Sequence, residues 1–326
     1  MFSRRQLTAG ALATLAMPQM SRFAQAQDGP YPSRAMRSIC MFPPGSGADI
    51  SVRFFANKLS KLTGQSVIVE NKPGASGNIA TETVVRARPD GYTFYIAPGS
   101  SVLAPAPHIF RKLNYDPLTD LEHVTTIYTT QFLLCVDAKS PFRSIDELVA
   151  HLKQQGDKAS YASTANTGFV SSEVFKAHYG LNTVEVKYKT SAAAVNDMTS
   201  GNLVFGHYDF RGNAAAIRSG RIRALATSGS TRMKAMPDVP SAKEIGLKHH
   251  IDAWWSLHVP TKTPEPIIAK LEQWMNQIVA DAETNTFLTS TGAEPLPGNR
   301  KLVRQMLERD IKAWAEYVKI AKIQPL

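Results

Sequence analysis

Only two of the 326 residues are cysteine, at positions 40 and 135. Each lies in an apolar, strand-like run without further ligands at metal spacing, so neither a zinc site nor a disulfide-rich scaffold is indicated. We expect Cys40 and Cys135 to be buried free thiols, although an exported protein would also permit a disulfide between them. With 43% hydrophobic residues, a chain of this length can bury a core of about two domains without cross-links.

The chain also has no Lys/Arg-rich run, although its formal net charge is +10. Arg4, Arg5 and Arg22 lie in the first 26 residues, so the remaining chain carries +7. Because these charges are spread out, they argue against a nucleic-acid partner and leave an anionic surface or an anionic small ligand. Beyond the N-terminal segment there is no apolar run of 18 residues, so we expect no membrane-spanning helix in the rest of the chain.

The sequence predicts that residues 1–26 are a cleaved secretory signal peptide. Arg4 and Arg5 form a basic start, "LTAGALATLAM" is too short to span a bilayer, and Ala24-Gln25-Ala26 fits a cleavage site before Gln27. The prediction is therefore export to the periplasm. "SRRQL" resembles a twin-arginine signal, but Arg pairs also occur in ordinary signals, so both export routes stay open.

Common catalytic motifs are missing. "PGSGADI" lacks the Lys-Ser/Thr of a P-loop and the third glycine of a dinucleotide fingerprint. There is neither a G-x-S-x-G elbow nor an H-E-x-x-H zinc motif. We therefore predict a protein that is not an enzyme and has no cofactor and no metal site.

From Met36 onward, strand-like and helix-like segments alternate. "MRSICMF", "SVIVE" and "YTFYIA" begin one α/β series, and "QFLLCVD", "KASYAS", "VEVKY", "NLVFGHYD" and "RIRALATS" belong to a second. This alternation predicts parallel β-α-β units and doubly wound sheets. Ser144 and Glu147 form a capping box, and Thr263 before Pro264 predicts an N-cap of a C-terminal helix.

Glycine-rich and hydroxyl-rich loops follow the strands and open the helices. "PPGSGAD" contains Gly45 and Gly47, while in "NKPGASGN" a type II turn is predicted at Pro73-Gly74, before Ala75-Ser76-Gly77. Each such loop alone is typical of an ordinary βα connection. At the carboxyl edge of a doubly wound sheet, however, neighbouring loops aim helix-start amides at one ligand site.

The second series repeats this arrangement with "STANTG" at 163–168 and "KTS" at 189–191. If two domains face each other, these four loops converge on one cleft, where amides and hydroxyls can hold both ends of a dianion. This pattern predicts a small dicarboxylate ligand. Because Asp49 would repel a carboxylate, it is expected to stabilise its helix start or to contact the ligand through water or a ligand amine.

The stretch "FPPGSGADISVRFFANKLSKLTGQSVIVENKPGASGNIATETVVRARPDGYTF" resembles the periplasmic solute-binding receptors of tripartite tricarboxylate transporters, the Bug family. The resemblance continues through "YASTANTG", "SGRIRALATSG" and "AWWSLHVPTKTPEPIIAKL". It implies a type II periplasmic binding protein: two doubly wound α/β domains joined by a hinge, which close like a Venus flytrap on a carboxylated metabolite. It also implies delivery to a membrane permease and carboxylate contacts at 45–49 and 74–77, with Ser163, Thr164, Asn166 and Thr167 opposite.

The sequence departs from the family pattern mainly in the second series. Ser46 replaces a common glycine, "VSSEVF" lacks a common histidine, and "KYKT" and "GNLV" replace Pro-Tyr-Lys-Gly and Gly-Gln-Val-Asp. The ligand's identity is therefore open. An aromatic acid is a further hypothesis, which rests on Phe169, Tyr188, Tyr208 and Phe210.

The resulting prediction has domain 1 at 27–130 and 252–326, and domain 2 at 131–251. The protein is expected to be a monomer that binds a di- or tricarboxylate or an aromatic acid. The alternatives are a periplasmic enzyme acting on a carboxylic acid and a receptor for a signalling partner. The predicted ligand-binding residues are Phe42, Gly45, Ser46, Gly47, Asp49, Gly74, Ala75, Ser76, Gly77, Ser163, Thr164, Asn166, Thr167, Tyr188 and Asp209.

Overall fold

A computed structural model describes residues 30–326. The predicted signal peptide and its cleavage point before Gln27 lie outside these residues. Within 30–326, no helix combines the length and apolar character that crossing a bilayer requires. Cys40 and Cys135 are both buried and unpaired, which confirms the prediction of free thiols.

The described chain alternates strands and helices. The strands are β1 (Met36–Cys40), β2 (Val67–Asn71), β3 (Thr93–Pro98), β4 (Leu121–Thr130), β5 (Phe132–Asp137), β6 (Ser160–Ser163), β7 (Val184–Lys187), β8 (Phe205–Asp209), β9 (Ile222–Thr227), β10 (Ala253–Pro260) and β11 (Glu294–Pro295). The helices are α1 (Gly47–Thr63), α2 (Asn78–Val85), α3 (Ala106–Ile109), α4 (Ile145–Gln155), α5 (Asn166–Tyr179), α6 (Ser191–Thr199), α7 (Phe210–Arg218), α8 (Glu265–Ala280), α9 (Ala282–Ser290) and α10 (Arg300–Ile320).

The strands form two sheets, and each sheet is the centre of one lobe. The first lobe has the strand order β11-β4-β10-β3-β1-β2, and the second lobe has the order β7-β6-β8-β5-β9. The chain enters the second lobe between β4 and β5 and returns between β9 and β10. The two-lobed α/β architecture predicted from the sequence is confirmed.

The sheets are mixed, whereas the sequence pattern indicated parallel strands. β1 lies parallel to β2 and β3, but β10 runs antiparallel to β3 and β4. In the second sheet, β5 runs antiparallel to β8 and β9. β5 and β10 are the two strands that follow a passage between lobes. Each therefore enters its sheet without the helical crossover that makes neighbouring strands parallel.

Helices cover both faces of the first sheet. Phe55 of α1 and Met275 of α8 belong to the core cluster on one face. Trp314 of α10 packs on the other face in a cluster that also includes Val170 and Val174 of α5, which belongs to the second lobe. The two lobes are thus in apolar contact through α5 and α10.

Of the two helix caps predicted from the sequence, one is present in the structure and the other is not. The predicted capping box is confirmed, because Ser144 Oγ accepts from Glu147 N and the Glu147 carboxylate accepts from Ser144 N. The prediction of Thr263 as an N-cap is wrong, since Pro264 holds that position before α8. Thr263 Oγ1 instead donates to Pro260 O at 2.7 Å, within the preceding turn.

Buried histidines add a pH-sensitive element to the fold. His207 is 3% exposed, and its Nδ1 pairs with Ser172 Oγ at 2.9 Å. His123 and His258 pair through their Nδ1 atoms, also at 2.9 Å. Burial lowers the pKa of His207 to about 3 and, together with nearby Arg304 and Arg300, lowers the pKa of His123 to about 4.

We predict that the free energy of unfolding falls as the pH drops below about 6.5. The unfolded chain binds protons there, whereas folded His207 stays neutral until the pH approaches 3. In His207→Gln, the loss of stability between pH 6.5 and 4.5 should be smaller by about 2 kcal/mol, measured by urea denaturation at several pH values. His178→Gln, which changes an exposed histidine, is the control. An unchanged pH slope in His207→Gln would contradict the prediction.

Candidate functional site

A cavity of about 610 Å³ lies between the two lobes. Its wall combines the starts of α1, α5, α6 and α7 with the turn before α2. The residues at these points are Ser46, Gly47 and Ala48; Ala165, Asn166 and Thr167; Thr190, Ser191 and Ala192; Asp209, Arg211 and Gly212; and Ser76. All four loops singled out in the sequence therefore reach one cavity, and α7 adds a fifth.

Backbone N–H groups in the first turns of these helices lack internal acceptors in the described part of the chain. In α1, Ser46 Oγ accepts from Asp49 N, but the N–H groups of Gly47 and Ala48 have no acceptor within residues 30–326. In α5, the N-cap Ala165 has no side-chain acceptor, so the amides of Asn166 and Thr167 stay free within the same range. Free amides at the positive end of a helix dipole attract anions.

The turn before α2 has an unusual left-handed backbone. The type II turn predicted at Pro73-Gly74 is wrong, because Gly74 has φ 123° and ψ 163° instead of the values near +80° and 0° of such a turn. Ala75 and Ser76 follow with φ of 43° and 49°. Left-handed conformations cost non-glycine residues on the order of 1–3 kcal/mol each. This strain presents Ser76 to the cavity.

Asp49 stabilises the loop at the start of α1 through hydrogen bonds. Its side chain is 1% exposed, and its carboxylate accepts from Gly45 N, Arg53 Nε and Asn71 Nδ2 at 2.7–2.8 Å. Burial would raise the pKa of Asp49, but the hydrogen bonds from Arg53, Asn71 and Gly45 outweigh it and lower the pKa. Since Asn71 ends β2, the network locks the α1 loop to the neighbouring strand.

An aromatic wall borders the cavity on the first-lobe side. Trp255 of β10 stacks on Phe42 with ring centres 5.5 Å apart and on Tyr128 with ring centres 5.2 Å apart. Phe42 and Trp255 both line the cavity, and so does Phe132 at the passage into the second lobe. The cavity therefore combines polar helix starts with an apolar surface, as small-molecule sites commonly do.

Among residues 30–326, three charged side chains lie on the cavity wall: Arg211, Lys189 and Asp209. Asp209 is the N-cap of α7, and its Oδ1 accepts from Gly212 N at 2.7 Å. Arg211 reaches from α7 into the first lobe, where its Nη1 donates to Gly47 O at 3.0 Å. The described wall thus carries an excess of one positive charge.

The structure separates the predicted site residues into two groups. Eight of them line the cavity: Phe42, Ser46, Gly47, Ser76, Thr164, Asn166, Thr167 and Asp209. The other seven lie off its wall: Gly45, Asp49, Gly74, Ala75, Gly77, Ser163 and Tyr188. Ser163 donates to Glu185 and Tyr188 to Asp197, each at 2.5 Å, and the hydrogen bond to Asp197, reinforced by burial, raises the pKa of Tyr188 to about 12.

The residues offered for an aromatic ligand also lie elsewhere. Tyr208 is fully buried, Phe210 is 6% exposed, and neither these two nor Phe169 is on the cavity wall. The aromatic side chains on the described wall are those of Phe42, Phe132 and Trp255.

Sequence reasoning missed several residues of the wall. Ser101 and Val102 follow β3, whose carboxyl end lies beside that of β1, so the parallel pairing of these strands could have pointed to them. Trp255 and Phe132 sit where the chain passes between lobes. Arg211 had only one signal, its place just after the end of β8.

Comparisons with known proteins agree with this geometry. The family model described as "Tripartite tricarboxylate transporter family receptor" matches residues 51–323. A UPF0065 protein of Bordetella bronchiseptica is 32% identical, and the alignment covers 99% of this chain and 94% of that protein.

Two solved structures from Rhodopseudomonas palustris are also similar. Rpa4515 with adipate has a TM-score of 0.82 and 29% identity, covering 91% of this chain and 100% of the other. MatC with bound malate has a TM-score of 0.76 and 26% identity, covering 88% and 100%. With its family match spanning most of its length, this chain belongs to the tripartite tricarboxylate transporter receptor family, whose members include the Bug proteins.

Proposed function

We propose that this chain is a periplasmic solute-binding protein that captures a small carboxylate in the cavity between its lobes. The observation that carries the proposal is the convergence of helix starts from both lobes on one cavity. Within the described chain their first-turn amides lack internal acceptors, as at Gly47 and Asn166. A carboxylate would satisfy these donors.

The ligand would hold the lobes together by contacting both. The amides of Gly47 and Ala48 belong to the first lobe, and those of Asn166 and Thr167 to the second. A ligand that bridges them binds the closed form better than an open form and shifts the population toward closure. We propose residues 27–130 and 252–326 as one moving unit, 131–251 as the other, and the two chain passages as the hinge.

The relatives support a dicarboxylate as the ligand. Rpa4515 was solved with adipate and MatC with malate. A cavity of about 610 Å³ has room for acids of that size, and Trp255 and Phe42 offer an apolar surface to the middle of a chain or ring. An aromatic acid therefore stays within the proposal, on these residues instead of those first considered.

The family assignment also supports transport as the role of the bound ligand. We propose that the protein acts as a monomer after removal of residues 1–26 and delivers its ligand to the membrane permease of a tripartite tricarboxylate transporter. The ligand-binding residues that we propose are the cavity-lining members of the predicted set together with Arg211, Ser101 and Trp255.

A thermal-shift panel tests the proposed function. Adipate, malate, citrate, aspartate and benzoate should be compared with glucose, Mg²⁺ and the neutral diamide of adipic acid. At least one acid should raise the melting temperature, since a ligand at about 100 times its Kd adds about 2.7 kcal/mol to the stability. The neutral diamide should have no effect. A response to glucose or Mg²⁺ alone would refute carboxylate binding.

A second prediction concerns Gly77, which has φ 93° before α2. A Cβ there would lie 2.8 Å from a methyl group of Val102 and 2.9 Å from Met41, both of which line the cavity. Gly77→Ala should therefore lower the affinity for the best acid of the panel at least about tenfold, which is ~1.4 kcal/mol. Isothermal titration calorimetry measures this change.

Gly64→Ala is the matched control for Gly77→Ala. Gly64 also has a left-handed backbone, with φ 70°, but a Cβ there would meet no atom of residues 30–326 within 4 Å. Both variants should lose about 1–2 kcal/mol of stability from backbone strain, while only Gly77→Ala should bind more weakly. Equal affinities in the two variants would exclude the α2 turn from the site.

A further inference from the structure

The side chain of Arg211 is a cation that spans the cavity. It starts from α7 in the second lobe, and its Nη1 donates to the carbonyl of Gly47, the first residue of α1 in the first lobe. Its guanidinium carbon lies 5.6 Å from the centre of the Tyr128 ring, also in the first lobe. A formal positive charge therefore stands beside the helix start whose amides are free.

Arg211 is incompletely paired in this arrangement. Within residues 30–326, its Nε is buried and has no acceptor, whereas its Nη1 donates to Gly47 O. The guanidinium also interacts with Tyr128, whose pKa burial raises and Arg211 partly lowers again. Nε and Nη2 point their N–H groups to the same side of the guanidinium, which is the edge that takes a carboxylate through two parallel hydrogen bonds. An unpaired charged donor at a buried position is unfavourable, so the edge favours an anionic acceptor.

We propose that Arg211 binds one carboxylate of the ligand through its Nε and Nη2 atoms. This inference rests on the proposed function and adds a charged contact to the neutral helix starts. The carboxylate would be shared between Arg211 of the second lobe and the amides of Gly47 and Ala48 of the first. The free amides of α5 would then hold the far end of the ligand.

The position of Arg211 also explains how the ligand has to enter. Since Nε is closed to solvent here, a carboxylate can reach it only after the surrounding groups move apart, as they would when the lobes separate. Because the carboxylate would use Nε and Nη2, Nη1 can keep its hydrogen bond to Gly47 O, and the ligand adds a paired arginine-to-carboxylate contact between the lobes. Charge-assisted pairs of this kind are the stronger ones, so ligand-bound closure is favoured over empty closure.

The experiment uses the mature protein and three variants: Arg211→Gln, Arg211→Lys and Arg218→Gln. Adipate and malate serve as probes in calorimetric titrations. Arg211→Gln should weaken the binding of whichever probe the wild type binds by about 10- to 100-fold, as expected for lost hydrogen bonds to a charged group. Arg211→Lys keeps the charge but loses the two-donor edge, so its affinity for the probe should lie between those of the wild type and Arg211→Gln. Arg218→Gln, which removes an exposed cation of the same helix α7 away from the cavity wall, should change affinity less than about threefold, as a lone exposed charge does.

A second readout does not depend on variant stability. In protein labelled with ¹⁵N-arginine, the Nε–H signal of Arg211 is assigned by its absence in Arg211→Lys. Adding the bound probe should move this signal downfield, because the donor gains a carboxylate partner. An unmoved signal on saturation, a change of less than about threefold in Arg211→Gln, or equal losses in Arg211→Gln and Arg218→Gln would each overturn the role of Arg211 while leaving carboxylate binding intact. Failure of the wild type to bind any acid in the panel would overturn the proposed function and this inference together.

Discussion

Unpaired N–H groups at the starts of helices are the constraint on which the cavity depends. A helix leaves its first amides without internal partners, and a buried helix end must find acceptors in side chains, water or a ligand. Most surface helices solve this with a capping side chain, as α4 does with Ser144. At α5 the capping position is Ala165, which cannot accept through its side chain, so the amides behind it stay open to the cavity.

Interactions within the first lobe fix the positions of the loops that border the cavity. Asp49 is buried and takes three hydrogen bonds, so its negative charge is satisfied behind the α1 loop instead of facing the ligand. The stack of Phe42, Trp255 and Tyr128 sets the position of the adjoining wall. Preorganisation of this kind limits the ordering that binding would otherwise require.

The second lobe contributes the three charged side chains of the described cavity wall, Lys189, Asp209 and Arg211. Neutral helix starts attract any carboxylate, whereas a fixed guanidinium selects by position and charge. The proposed role of Arg211 would make the second lobe the selective side of the site and the first lobe a general anchor. Apolar contact between α5 and α10 joins the two lobes.

The sequence by itself determined the two-lobed α/β fold and the loops that reach the cavity, because strand and helix periodicity and glycine-rich helix starts are local properties. The capping box at Ser144 and the free thiols of Cys40 and Cys135 could likewise be predicted from nearby residues in the sequence. Tertiary structure decided the antiparallel entry of β5 and β10, the inward burial of Asp49 and the displacement of Tyr188 from the wall. It alone brought Arg211 to Gly47, 164 positions apart, because a contact between lobes depends on how two separately folded sheets pack and not on any pattern within either one.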